Sequence, residues 1–342
     1  MPAPAGCRHT ATIAARARIP TTILIAPDSF KGTFRSSEIA AAVARGVAAR
    51  GLPVDRCPVA DGGEGTLEAL RDALGLEIRH AAATDPLGRK IDAPLGVGGA
   101  VALVETAAAS GLGLVAPAER DAFAASTFGT GELIRAALDA GASIVHVAVG
   151  GSATTDGGAG AVRAIRQGGG LRGARLVVLC DVRTPFEDAA RVFARQKGAD
   201  PATVARLTKR LQTLARGFER DPRGLPMTGA AGGLSGGLWA ELGAELVAGA
   251  PYVLDAVGFD RRMRAARAVV TGEGKLDRQS LAGKLVSEVA TRARQSGVPC
   301  YAVVGVRDLD SFGARILDLQ AVIEAGTLAA LEAAGRLIGE FV

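Results

Sequence analysis

The sequence predicts an α/β fold: a Rossmann-like parallel-sheet domain formed by both chain ends, with a second α/β domain inserted between them. Three observations predict it. Short β-branched apolar runs recur, each stopping at a Gly- and acid-bearing loop that opens a helix, which is the rhythm of a parallel sheet. That rhythm is regular near both termini and lapses between Ile78 and Val104, where strand-like pieces are broken by Asp85-Pro86-Leu87-Gly88-Arg89. The chain has 342 residues, 48% of them hydrophobic, which is too long for one ordinary core. The expected divisions are residues 1–20 as a disordered extension, 21–90 with 265–342 as the discontinuous Rossmann-like domain, and 91–264 as the insertion.

Each element follows from local pattern. Thr22 to Ala26 reads as a strand, Pro27 to Gly32 as a polar loop, and Ser36 to Arg50 as an amphipathic helix. Val54 to Ala60 reads as a second strand, ending in Asp61-Gly62-Gly63-Glu64-Gly65-Thr66. Two successive strands ending in acidic loops lie side by side in a parallel sheet, at the edge where ligands sit. Asp28 can orient or deprotonate a hydroxyl, and Lys31 can neutralise a carboxylate or a transferring phosphoryl group. Asp61 and Glu64 can hold magnesium or position a hydroxyl, with turn and cap roles as the alternative. Glu105, before a run of small residues, reads as packing rather than chemistry, and Thr130 as the N-cap of a helix reaching Ala140.

The stretch from His146 to Ala161 joins a buried strand to Gly150, Gly151, Ser152, Thr154, Thr155 and Asp156. It is either a tight turn, with Asp156 capping the next helix, or a cradle holding a phosphate on backbone N–H groups. Leu176 to Leu179 is a further strand, ending at Cys180-Asp181. Lys197 is a surface charge or a phosphate seat before a basic helix starting near Pro201, and Gly229 to Leu234 is a close packing corner. Ala268 to Thr271 returns to the strand-then-loop form, with Thr271 to Asp277 as the loop, followed by strands at Val298 to Val304 and Ala321 to Ile323 and a last helix from Thr327.

Composition excludes several classes. Of the net charge of +5, three units come from Arg8, Arg16 and Arg18 in the acid-free first twenty residues, so no nucleic-acid surface is indicated. No apolar run approaches the length of a membrane span. Cys7, Cys57, Cys180 and Cys300 are widely spaced, and His9, His80 and His146 are isolated, which argues against zinc, disulfides and a Ser-His-Asp triad and favours a reducing cytoplasm. A nucleotide-cofactor oxidoreductase lacks its GxGxxG fingerprint here, and no GxxxxGK[ST] loop occurs.

Ten loops, in order, carry a family resemblance: APDSFKGT (26–33), VADGGEGT (59–66), DPLGR, ETAAASGL, TFGTGELI, GGSATTDGGAG, CDV, QKGA, AAGGL and TGEGKLDRQSLAGK (271–284). Together the chain resembles the two-domain, non-Walker glycerate kinases of type I. The resemblance implies transfer of the ATP γ-phosphoryl group to D-glycerate, giving 2-phosphoglycerate, with Mg2+, in a cleft between two domains of a monomer or homodimer. A 3-phosphoglycerate product, another hydroxy-acid acceptor and a non-catalytic sensor are the alternatives. At the matching positions, chemistry assigns Asp28, Lys31 and Asp61 to catalysis, and Ser29, Glu64, Thr127 and Lys197 to the substrate. Gly150, Gly151, Ser152, Thr154, Thr271, Gly272, Glu273, Gly274 and Lys284 go to the nucleotide and its phosphates, and Asp181 and Asp277 to Mg2+. The chain departs from the family pattern in a short Gly-rich link between Gly160 and Cys180, and at Thr184-Pro185-Phe186 and Ala194-Arg195.

Overall fold

The computed structural model describes residues 21–282 and 284–342. The extension expected at 1–20 lies outside the described residues. Among the described residues eleven strands form two sheets: β1 (Ile23–Pro27), β2 (Val54–Arg56), β3 (Glu77–Thr84), β4 (Lys90–Gly98), β5 (Val101–Glu105), β6 (Ile144–Ala148), β7 (Arg175–Cys180), β8 (Glu245–Ala248), β9 (Ala268–Leu276), β10 (Cys300–Arg307) and β11 (Leu319–Glu324). The first sheet, in the order β11-β10-β9-β1-β2, is parallel throughout and draws its strands from both ends of the chain. The second runs β3-β4-β5-β6-β7-β8; its β5 to β8 are parallel, while β3 and β4 form an antiparallel flank.

The seam expected at residue 90 is corrected by this pairing. Ala83 of β3 is paired with Ile91 of β4 in a full antiparallel ladder, so both strands belong to the second sheet and the chain leaves the first between Arg56 and Glu77. The Asp85–Arg89 turn, which the sequence offered as a break, is the hairpin that joins them. Asp85 holds it by accepting from the N–H groups of Leu87 and Arg89, both at 2.9 Å.

The packing has five layers. Helices Ser36–Ala48 and Leu328–Phe341 cover the outer face of the first sheet through Ile39, Val43, Leu331 and Ile338. Helices Phe128–Asp139, Ala159–Gln167 and Ala230–Leu242 cover the outer face of the second. Between the sheets, one continuous buried cluster joins Leu24 and Val269 of the first to Leu103 and Leu179 of the second, through Val253, Phe259 and Val286. This shared apolar layer fixes how the carboxyl ends of the two sets of parallel strands face each other. Cys57, Cys180 and Cys300 are buried in these cores as free thiols, and burial pushes Cys57 up to about 11.

Several local readings change. The helix after Ser126 starts at Phe128, and Thr130 is spent on a 2.8 Å hydrogen bond to Ser110 rather than on a cap. The strand read as ending at Thr271 continues to Leu276, because β10 pairs with it as far as Arg307. The altered Thr184-Pro185-Phe186 segment places a fully buried Phe186 ring against Gly157, Gly233 and Gly236, where a Cβ on any of the three would come within 3.0 Å of the ring. Gly229 to Leu234 is a packing corner as expected: Ala231, Gly232 and Gly233 take left-handed backbone, and a Cβ on Gly232 would meet the Thr154 carbonyl at 2.1 Å. Among the described residues no helix is long and apolar enough to cross a membrane.

The outer helices of the first sheet cross at two glycines. A Cβ on Gly46 would lie 2.0 Å from the Glu332 carbonyl, and one on Gly335 would lie 2.2 Å from the Val43 carbonyl. Backbone atoms cannot rotate away, so Gly335→Val should cost about 3 kcal/mol by overpacking, measured as a drop in Tm, whereas Gly217→Ala, with nothing within 4 Å of its Cβ position, should leave Tm nearly unchanged.

Candidate active site

The site is built from loops at the carboxyl ends of both sheets. After β2 the chain runs into Asp61-Gly62-Gly63, which is wedged against the second sheet: Val149 N–H donates to the Gly62 carbonyl at 3.0 Å. The approach is as close as backbone allows. A Cβ on Gly150 would sit 2.5 Å from Gly63 Cα, and one on Gly249 would sit 2.2 Å from the Asp61 carbonyl. Gly62 itself takes φ +96. Gly150 therefore brings two loops together, with no room for a side chain.

This wedge gathers charge. Lys31 Nζ donates to Asp61 Oδ2 at 2.9 Å, from a side chain that is itself half-exposed. Burial alone would raise Asp61, but the Lys31 ammonium draws its carboxyl below the usual range. Lys31 is pushed up in return, by the charge of Asp61 and then that of Asp28. Asp28 is buried at the end of β1, and its carboxyl is pushed well up by burial and next by the Asp61 charge. Asp181, after β7, is raised by the same two causes, and its Oδ2 lies 3.2 Å from the place where a Gly150 Cβ would be. Glu273, on β9, has its Oε1 buried without a partner, and burial pushes it up to about 7. Lys31 is near Asp28, Asp61 and Asp181, and the Lys284 ammonium acts on Asp61, Asp181 and Glu273, so two cations face several crowded carboxyls, an arrangement typical of sites built for chemistry rather than stability.

Two cavities flank Lys31. The larger, about 650 Å³, lies toward the second sheet and is lined by Ser29, Lys31, Arg35, Glu64, Arg71 and Glu105 among others. The smaller, about 420 Å³, opens over β9 and β10 and includes Asp28, Ser29, Lys31, Asp61, Glu273, Gly274, Asp277 and Lys284. Ser29, Lys31 and Thr33 line both, so this loop is the shared wall. The Ser29 hydroxyl is buried there with no partner.

Other expected residues take supporting roles. Thr127 is fully buried: its hydroxyl donates to Asp156 at 2.9 Å and accepts from Ala161 N–H, so it ties a helix start to the Gly150–Asp156 loop and does not reach the substrate. Lys197 is 2% exposed and donates to Ser152 Oγ at 2.9 Å and to the Thr154 carbonyl at 2.6 Å. Burial lowers it to about 8, against the pull of Asp156 and Asp181. It is neither the surface charge nor the open phosphate seat of the two sequence readings, and it occupies Ser152 and Thr154 from beneath. Asp156 caps its helix by accepting from Gly158 and Gly160 N–H. Gly151, exposed with φ +74, faces Glu64.

Thr271 and Gly272 lie inside β9, where the Gly272 carbonyl accepts from Asp28 N–H at 2.8 Å and the buried Thr271 hydroxyl has no partner. Gly274 does line the smaller cavity. Asp277 lines it as well while Asp181 does not, so the two are not brought into one ligand set; among the described residues no group of three or more His, Cys, Asp or Glu has metal-holding geometry. The sequence reading missed Arg35 and Arg71, which face the larger cavity, because a lone arginine in a helix or at its start carries no signal until the opposing wall is in place.

The geometry can be compared with known proteins. The profile of the glycerate kinase family matches residues 23–168 and 167–330. The chain belongs to the glycerate kinase family. It is 38% identical over 324 residues to the glycerate 2-kinase of Escherichia coli K12, covering 83% of this chain and 84% of that one. It is 39% identical over 331 residues to a glycerate kinase of Bacillus subtilis 168, covering 84% and 86%. A crystal structure of a candidate glycerate kinase 2 from Salmonella typhimurium LT2 superposes with TM-score 0.76 at 34% identity, covering 94% of this chain and 98% of that one. The chain is therefore an enzyme of the kinase class, and the glycerate kinase family's two matched segments meet at Gln167 and Gly168, at the start of the short link before β7.

Glu105, at the end of β5, bridges the two parts of the site by accepting from Gly65 N–H at 3.0 Å and Leu67 N–H at 2.8 Å. Burial raises it to about 7 despite those bonds. A carboxyl raised on folding binds its proton more tightly in the folded chain, so its stabilising share is complete below the unfolded value near 4.5 and is lost as pH climbs to about 7. Glu105→Gln keeps an oxygen for both N–H groups and removes the ionisation. The variant should lose less Tm than the parent between pH 5 and pH 8, by an amount equivalent to roughly 2 kcal/mol; an unchanged pH dependence of Tm would count against this assignment.

Proposed function

We propose that this glycerate kinase transfers the γ-phosphoryl group of ATP to D-glycerate, giving 2-phosphoglycerate and ADP. The observation that carries the reading is the placement of Lys31: its ammonium is braced on Asp61 at the wall between two cavities, near Asp28 and Asp181. Phosphoryl transfer asks little covalent help of a protein. It asks for an in-line hydroxyl and for fixed positive charge where negative charge develops.

In this reading the hydroxy acid enters from the larger cavity. Its carboxylate meets Arg35 and Arg71, whose planar guanidinium groups suit a bidentate partner. Ser29 and Glu64, on the same walls, take the hydroxyl that does not react. Asp28, raised in proton affinity by burial and by Asp61, receives the proton of the reacting hydroxyl as the oxygen–phosphorus bond forms and the bond to the ADP oxygen breaks. Lys31 offsets the charge on the transferring group, and Asp61 keeps Lys31 protonated and aimed.

Mg2+ would arrive with the nucleotide, because among the described residues no three carboxyls have metal-holding geometry. Buried Asp28, Asp61 and Asp181 lie near the Lys31 ammonium, and burial and the Asp61 charge push up the carboxyls of Asp28 and Asp181. Asp181 would hold the ion, which when bound neutralises phosphate oxygens.

A coupled assay should detect ADP release that depends on D-glycerate, and phosphorus NMR of the product should show the 2-phosphate; a 3-phosphate signal would overturn the regiochemistry. Lys31→Ala should lower kcat/KM by about a hundredfold, or ~3 kcal/mol in the transition state, and should also lower Tm because the buried Asp61 carboxyl loses its ammonium. Near-normal turnover in that variant would remove Lys31 from the mechanism.

A further inference from the structure

The smaller cavity carries features that suit a nucleoside. We propose that the adenosine of the nucleotide lies in the smaller cavity over Gly305, Val306 and Gly326, with its phosphates running toward Lys284 and Lys31. The proposal rests on the phosphoryl-transfer reading and adds the location and orientation of the donor.

Topology points there first. From β1 the chain moves to β2 on one side of the first sheet, whereas β9, β10 and β11 step away on the other. The carboxyl ends of β1 and β9 therefore flank the crevice where strand order reverses, which is where open parallel sheets take their ligands. The smaller cavity lies in that crevice, since its walls come from the loop after β1, from β9 with its following loop, and from the ends of β10 and β11. Its volume of about 420 Å³ suits a nucleotide-sized guest.

The lining of the cavity has two chemical parts. It includes the cations Lys31 and Lys284, the latter at the start of the helix Leu285–Gln295. A cation beside a helix N-terminus favours phosphate. It also includes Gly305, Val306 and Gly326, which carry little or no side chain. Val306 is 49% exposed although it lies in a strand whose neighbours Val303 and Val304 are buried. Lys275, paired across from Val306, turns its ammonium to Asp308. Gly326, after β11, has open space where its Cβ would be and no positive φ, so the backbone there does not require glycine. An exposed aliphatic and an uncrowded glycine on one lining leave open room that fits a purine ring. On the same lining Glu273 is over nine-tenths buried with Oε1 unpartnered, and a ribose hydroxyl can satisfy it. The larger cavity offers no such combination, because Ile78 and Pro94 share it with Glu38, Glu64, Glu68 and Glu105 and with two arginines suited to a carboxylate.

The test is calorimetric titration of ADP, and separately of tripolyphosphate, into the full chain with Mg2+ present. Val306→Glu and Gly326→Leu should each weaken ADP at least tenfold, while tripolyphosphate, which lacks base and ribose, should bind within twofold of the parent. Ile78→Glu, at an exposed position of the larger cavity, should leave ADP unchanged. All three positions are open to solvent or to free space, and Tm checks that each variant folds. ADP affinity unmoved by both the 306 and 326 changes overturns the placement, as does loss confined to Ile78→Glu. Failure of the parent chain to bind ADP at all overturns the phosphoryl-transfer reading itself, and this placement with it.

Discussion

The arrangement depends on one backbone contact: the Asp61-Gly62-Gly63 turn lying against Gly150, Leu179 and Gly249. A main-chain hydrogen bond from Val149 to Gly62 and glycine-to-glycine approaches too close for any Cβ hold it. Through this contact the end of β2 in one sheet meets the ends of β6 and β7 in the other, and that meeting brings Asp61 beside both Lys31 and Asp181. The shared apolar layer from Leu24 and Val269 to Leu103 and Leu179 supplies the force that keeps the sheets together. The glycines determine how close they come.

The electrostatics follow from that closeness. Carboxyls from β1, β2, β7 and β9 converge where water is largely excluded, and Asp61 has the Lys31 ammonium in direct contact. Asp28, Asp181 and Glu273 are left with raised proton affinity, which is unfavourable for folding and useful for proton transfer and for binding a cation or a polar ligand. Lys197 shows the complementary case. It is a buried lysine with no carboxylate in contact, held by a hydroxyl and a carbonyl, and it stiffens the Gly150–Asp156 loop from below. The part of the chain that departs from the family pattern packs against the same loop: Phe186 fills the space beside Gly157.

Local pattern was a sound guide wherever a single segment determined the outcome. The strand-to-helix units at 22–50 and 144–167, the Asp156 cap, the last helix from Thr327, the packing corner at 229–234 and the parallel sheet drawing on both chain ends all follow from apolar periodicity and from residues with few backbone options. It was a poor guide where two distant segments compete for the same atoms. Gly272 reads as a loop glycine until β10 is seen to pair beyond it, and Thr127 reads as a ligand contact until Asp156 is found on its hydroxyl.

The sequence by itself determined the fold class, the order of the acid-bearing loops and the family, because ten loops in order survive as strings whatever their positions in space. Only the tertiary structure decided that β3 and β4 belong to the second sheet, that Gly150 joins two loops, that Lys197 is buried, and that Arg35, Arg71 and Val306 line cavities. The physical reason is the same in each case. Sheet pairing, burial and charge coupling are properties of pairs of segments far apart in the chain, and a string of residues carries each member of a pair without the distance between them.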